Sequence, residues 1–190
     1  MSARYCLPEN YVSRASVPHF LDVHEDQYQN EVYRYARELF DGHGMKSVLD
    51  VGCGSGFKLM KYFSDAYTTG MEVEPTLSMV KEKYPDRRWL NADTLVLRHD
   101  LLICSDVIEH LEDPDALLQL IWRIKPSLIV ISTPARELIP GADQSGPPRN
   151  IHHTMEWSRE EFRRYIGEAF AIDHQRTIPE EYGQLIVCRP

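Results

Sequence analysis

The stretch Val48-Leu49-Asp50-Val51-Gly52-Cys53-Gly54-Ser55-Gly56 decides the fold. Apolar residues run into an acid, glycines alternate after it, and helical spacing resumes at about Lys58. Glycine lets a backbone turn sharply and lets a ligand approach closely, so the run reads as strand, binding turn and helix. A phosphate-binding loop needs Gly-Lys-Ser/Thr, whereas Ser55-Gly56-Phe57 follows Gly54. A dinucleotide fingerprint needs Gly-x-Gly-x-x-Gly, and its third glycine would fall at Phe57. Both patterns fail here.

Working outward, strand-like runs occur at Ser47–Val51, 66–72, Arg88–Asn91, Leu101–Ser105 and 128–133. Helical candidates lie between them at 58–64, 75–84 and Pro114–Ile124. This alternation predicts an α/β, Rossmann-like doubly wound sheet, mostly parallel and seven-stranded. The end differs: 158–170 predicts a helix capped by Ser158 with Glu161 three residues on. Runs 171–177 and 184–189 then predict a C-terminal antiparallel hairpin. An open sheet of this kind binds ligands at the carboxyl ends of its central strands.

With 190 residues the chain has the size of one domain, 1–190. Residues 1–40 would form an N-terminal leader and helix, and 41–190 the cofactor-binding core. The leader, 1–24, is irregular; apolar positions Tyr28, Val32, Tyr35, Ala36 and Leu39 predict a helix over 25–40. A net charge of −8 supplies no electrostatic footprint for a nucleic-acid backbone, which argues against that partner. Cys6, Cys53, Cys104 and Cys188 have no metal or disulfide spacing. No apolar run approaches a membrane span or a signal peptide, so no membrane is expected and a reducing cytoplasm is.

Asp50-x-Gly52-x-Gly54-x-Gly56 resembles motif I of class I S-adenosylmethionine-dependent methyltransferases. The resemblance implies a loop, including Cys53, around the methionine part of S-adenosyl-L-methionine, with Asp50 ordering water or the amino group. A carboxylate suits a positively charged sulfonium where pyrophosphate would be repelled. Gly70-Met71-Glu72 puts an acid at the next strand end, where Glu72, with Val73 beside it, can accept from the ribose hydroxyls. Asn91-Ala92-Asp93-Thr94 resembles the family's adenine loop, with Asp93 and Thr94 near the base; a helix N-cap is the other reading of Asp93. The run from Asp100 through Ser105 to Leu111 resembles motif IV, beneath the sulfonium, and Leu128–Pro134 resembles motif V.

The acceptor is less directly written. Its nucleophile must lie in line with the methyl–sulfur bond, and a hydroxyl needs a base as its proton leaves. His153 is the first candidate for that base, ahead of His152, and His110 is the second; each could instead only anchor its loop. The long 134–150 connection, rich in proline and glycine, could roof the acceptor. Gly146-Pro147-Pro148-Arg149-Asn150, His153 and Glu156-Trp157 resemble small bacterial methyltransferases of polysaccharide and glycoside pathways. The likeness implies a small-molecule acceptor, a sugar hydroxyl or a glycosylated metabolite, with an amine as the variant. A rival likeness is to bacterial small-RNA 2′-O-methyltransferases, through Asp106-x-x-Glu109-His110 and His153-x-x-Glu156-Trp157. That family binds a divalent metal, with a glutamate where Asp106 stands; spacing alone assigns no metal site here. A cofactor-binding partner protein without catalysis is the third reading. From the leader, Tyr5, Tyr11, Arg14, His19 and Phe20 could shape the pocket; Arg14 could pair with the methionine carboxylate, and a solvated surface arginine is the other and favoured reading. Deleting 1–24 should then weaken binding and leave the domain folded.

Overall fold

The computed structural model describes residues 4–15, 17, 26–94 and 98–190. Seven strands, β1 (Ser47–Val51), β2 (Tyr67–Glu72), β3 (Arg88–Asn91), β4 (Leu101–Ser105), β5 (Leu128–Pro134), β6 (Ala171–Ile178) and β7 (Gly183–Arg189), form one sheet in the order β3-β2-β1-β4-β5-β7-β6. The first five pair in parallel, and β7 runs antiparallel between β5 and β6. The expected α/β architecture and its terminal hairpin are both present. Five helices cover the faces: α1 (Asn30–Gly42), α2 (Phe57–Phe63), α3 (Thr76–Lys83), α4 (Pro114–Ile124) and α5 (Arg159–Ala169). No helix among the described residues is long and apolar enough to cross a membrane.

Side chains alternate across a strand, so each central strand feeds two cores. Leu49, Leu102, Cys104, Ile129 and Ile131 face one core, closed by Leu117 and Ile121 of α4 and Phe162 and Ile166 of α5. Val48, Leu101, Ile103, Leu128 and Val130 face the other, closed by Val32, Ala36 and Phe40 of α1 and Leu59 and Phe63 of α2. Asp50 shares the parity of Val48 and therefore points towards α1. Between β1 and β4 the chain order reverses, which opens a crevice at their carboxyl ends.

The Ser158 cap forms as expected: its side chain accepts from the Glu161 N–H, and Glu161 returns a bond to the Ser158 N–H. The first helix begins later than its periodicity predicts. Gln29 is left-handed (φ 65°), donating its N–H to Glu181 Oε2 (2.7 Å) and its Nε2 to Ser105 O (3.4 Å), so tertiary bonds replace another helical turn. Positions 18–25 lie outside the described residues. The Asp93 N–H turns back to Asn91 Oδ1, and positions 95–97, where a helix capped by Asp93 would run, lie outside the described residues.

Candidate active site

At the end of β1, Gly52, Gly54 and Gly56 all have positive φ, at 73°, 53° and 71°. The Gly52 and Cys53 N–H groups both turn towards Met71 O (2.8 and 3.2 Å), joining the loop to β2. Glu72 completes the link: Oε2 accepts from the Gly54 N–H and Oε1 from the Val73 N–H, each at 2.8 Å. Gly52 and Gly56 are glycines for different steric reasons. A Cβ on Gly52 would lie 2.3 Å from Val107 Cγ2, whereas one on Gly56 would strike Trp89 and Val80 at 2.8 Å.

Above this turn opens a cleft of about 1000 Å³. Gly52, Cys53, Gly54, Glu72, Val73, Asp93, Thr94, Ser105, His110 and His153 all line it. Asp50 and Gly56 do not; one is buried beneath the loop and the other serves helix packing. Tyr33 of α1 donates to Asp50 Oδ2 at 2.9 Å, while the buried Oδ1 has no hydrogen-bond partner. Burial pushes the Asp50 carboxyl up to about 7, against the Tyr33 hydrogen bond and aided by the nearby Glu72 charge. Several cleft residues were not assigned to the cofactor from sequence: Tyr28, Gln29, Lys58, Asp106 and Glu181 arrive from four separate segments. Lys58, two residues past Gly56, and Asp106, directly after Ser105, could have been placed from the motifs.

On the far wall, Ser105 and Ser132 share a hydroxyl contact at 3.0 Å, and Ser132 donates to Asp106 Oδ1 at 2.7 Å. Asp106 thus turns towards Ser132 and Gln29, and burial raises its carboxyl pKa. Glu109, completely buried, accepts from Thr133 through Oε2 (3.0 Å), while Oε1 has no hydrogen-bond partner. Burial first, and then the neighbouring Asp106 charge, hold the Glu109 carboxyl well above the usual range.

His110 and His153 meet edge to face, with ring centroids 4.9 Å apart. His110 Nδ1 lies 2.9 Å from His152 O, and His153 Nδ1 lies 2.6 Å from Glu156 Oε1. Acceptors on both Nδ1 atoms place the proton there, leaving each Nε2 as the electron-pair donor. His153 Nε2 is met by the Asn150 amide at 2.9 Å. Ligand atoms of Glu109, His110 and His153 fall within 4.8 Å of one another, a set that spacing alone did not assign. His152 also lines the cleft, but its Nδ1 faces Val17 O at 3.3 Å.

The described part of the leader packs against the 148–157 segment. Arg14 donates to Pro148 O (2.7 Å) from its guanidinium and to Thr154 O (2.8 Å) from its N–H, so it binds the β5–α5 connection. Tyr11 accepts the Glu156 N–H, and Tyr5 O accepts from Trp157, both at 2.9 Å. None of residues 4–15 lines the cleft. His19 and Phe20 lie outside the described residues.

A family model for a methyltransferase domain matches residues 24–181, which includes the glycine turn, the Glu72 strand end and the histidine pair. The chain belongs to the methyltransferase domain family. Its cofactor is S-adenosylmethionine, and the residues present fit that molecule: backbone open to close approach, acids facing a cationic ligand, and a buried Asp50 oxygen lacking a partner. The chain is 28% identical over 162 residues to a small RNA 2′-O-methyltransferase of Rattus norvegicus, covering 72% of this chain and 41% of that protein. It is 27% identical over 136 residues to a mitochondrial ubiquinone biosynthesis O-methyltransferase of Schizosaccharomyces pombe, covering 64% and 48%. The chain thus spans less than half the length of these curated relatives. An S-adenosylmethionine-dependent methyltransferase from Clostridium acetobutylicum shares the fold at a TM-score of 0.69 and 11% identity, covering 88% and 94% of the two chains. The methyltransferase domain of bacterial CtHen1-C does so at 0.65 and 20%, covering 84% and 97%.

Proposed function

We propose that this methyltransferase transfers its methyl group to a ribose 2′-hydroxyl of RNA with the help of a divalent cation. Glu109, His110 and His153 carry this reading: three donors converge in the cleft, and one carboxylate oxygen is buried without a partner. The donor set of one carboxylate and two neutral imidazoles suits a first-row divalent cation. Such a cation would supply positive charge that eases loss of the acceptor's proton. Glu156 then orients His153 through its Nδ1–H, as carboxylates do behind metal-bound imidazoles. This reassigns His110 and His153 from bases to ligands. Gly52, Cys53, Gly54, Glu72, Val73, Asp93, Thr94 and Ser105 would hold the cofactor along the opposite wall, with Asp50 acting from beneath. The likeness to small RNA 2′-O-methyltransferases supports the acceptor class.

A free glycoside is the second reading, favoured by the net charge of −8, which opposes a polyanion. The cytoplasm remains the proposed compartment, given four buried free thiols. Radiolabelled methyl transfer should be measured to a short RNA, the matching DNA and a panel of glycosides, with EDTA and after adding back Mn²⁺. Labelling of RNA but not DNA, abolished by EDTA and restored by Mn²⁺, is expected. Glycoside labelling that ignores EDTA would overturn both the RNA and the metal assignment.

A further inference from the structure

We propose that Lys58 recognises the carboxylate at the methionine end of S-adenosylmethionine. The inference concerns the cofactor alone and holds whichever acceptor is methylated. Lys58 is the second residue of α2, directly after the glycine turn; it lines the cleft and is only 5% exposed. The ligand carries two positive groups, sulfonium and ammonium, and one negative group. The protein around Lys58 has the complementary pattern. Burial raises the Asp50, Asp106 and Glu181 carboxyls, and the Lys58 charge acts on all three in the opposite sense without reversing it, so one ammonium sits among acids. A cationic ligand suits those acids, and its single anion needs a cation, which Lys58 supplies among the described residues on that wall.

Other cations do not compete for this place. Arg14, a candidate that the sequence offered, is engaged with Pro148 and Thr154 in the β5–α5 connection. Among the described residues lining the cleft, the other Lys or Arg is Arg123. It stands in the last turn of α4, about 14 Å along the helix axis from Pro114 at a rise of about 1.5 Å per residue.

Calorimetry should compare S-adenosylhomocysteine with its decarboxylated amine, which keeps the ammonium and loses only the carboxylate. The wild-type protein should prefer S-adenosylhomocysteine by about 10- to 100-fold, the range of a charge-assisted hydrogen bond. Lys58→Met should bind both compounds alike, at the affinity of wild type for the decarboxylated one. A Met variant that keeps the wild-type preference, or a wild type with none, overturns the assignment. Should Lys58→Met not fold by circular dichroism, Lys58→Gln is read in the same way with the same two outcomes.

Discussion

The Tyr33 hydroxyl donates to Asp50 Oδ2 at 2.9 Å, tying the first helix to the acid beneath the glycine turn. The bond joins residues 17 positions apart and satisfies one oxygen of a carboxylate that no water reaches. Tyr33→Phe leaves that carboxylate without this partner. It should lose about 1–3 kcal/mol of stability, the usual cost of an unsatisfied buried acceptor. Urea unfolding tests this; an unchanged midpoint would show that the bond contributes nothing.

Asp50 also gives a pH signature. Its carboxyl titrates near 7 when folded, against about 3.9 in an unfolded chain. Between those values the folded protein holds a proton that the unfolded one has lost, so this group's contribution to stability falls as pH rises and is level above the window. A cationic cofactor favours the ionised acid, so binding should release a proton and tighten as pH passes through about 7. Calorimetry in buffers of different ionisation heat should detect that proton in wild type and not in Asp50→Asn.

The glycines should separate by phenotype. Gly52→Ala drives a methyl into Val107, which lines the cleft, and should abolish cofactor binding. Gly56→Ala meets Trp89 and Val80 at a positive φ and should cost about 1–3 kcal/mol of stability, as overpacking and backbone strain do. Thermal melts and cofactor titrations on both variants test the division; equal effects on binding would refute it.

Glu156→Gln removes the charged acceptor of the His153 Nδ1–H while keeping its shape. Titration with Co²⁺, followed by visible absorption, should show about 10- to 100-fold weaker binding, the range for such supporting carboxylates. His153→Ala should bind still less. Undiminished Co²⁺ binding in both would remove His153 from the ligand set.

Arg136, 2% exposed, donates to both Glu161 carboxylate oxygens (2.8 and 2.7 Å) and to Glu156 O, joining the end of β5 to the start of α5. Arg136→Met should destabilise the protein by about 3–5 kcal/mol, because half of a buried ion pair remains. Deleting the leader, expected from sequence to weaken binding and leave the domain folded, should also reduce stability, since Cys6 and Leu7 are core residues and Trp157 bonds to Tyr5. A wild-type melting temperature in either variant would refute these claims.

Much of the fold was legible because it is locally encoded. β1, β3, β4 and α4 have the bounds their periodicity predicts, since apolar spacing and strand parity act within a few residues. The Ser158 cap was equally plain, being a pattern of fixed spacing. The start of α1 was not, because Gln29 bonds to Glu181 and Ser105 across the fold. Of the cleft, the residues that follow strand ends were visible, whereas Glu181 has no neighbouring motif to mark it.

From Asp50 to Gly56 the amino-acid sequence alone determined a strand, a left-handed turn and a cationic ligand, because glycine conformation and charge are local properties. Tertiary structure decided what each residue meets. It buried Asp50 under Tyr33, sent Arg14 to the 148–154 connection, and brought His153 against Glu109 and His110. Those outcomes depend on how distant segments pack and on how burial weakens charge solvation, and neither quantity is carried by any short stretch of chain.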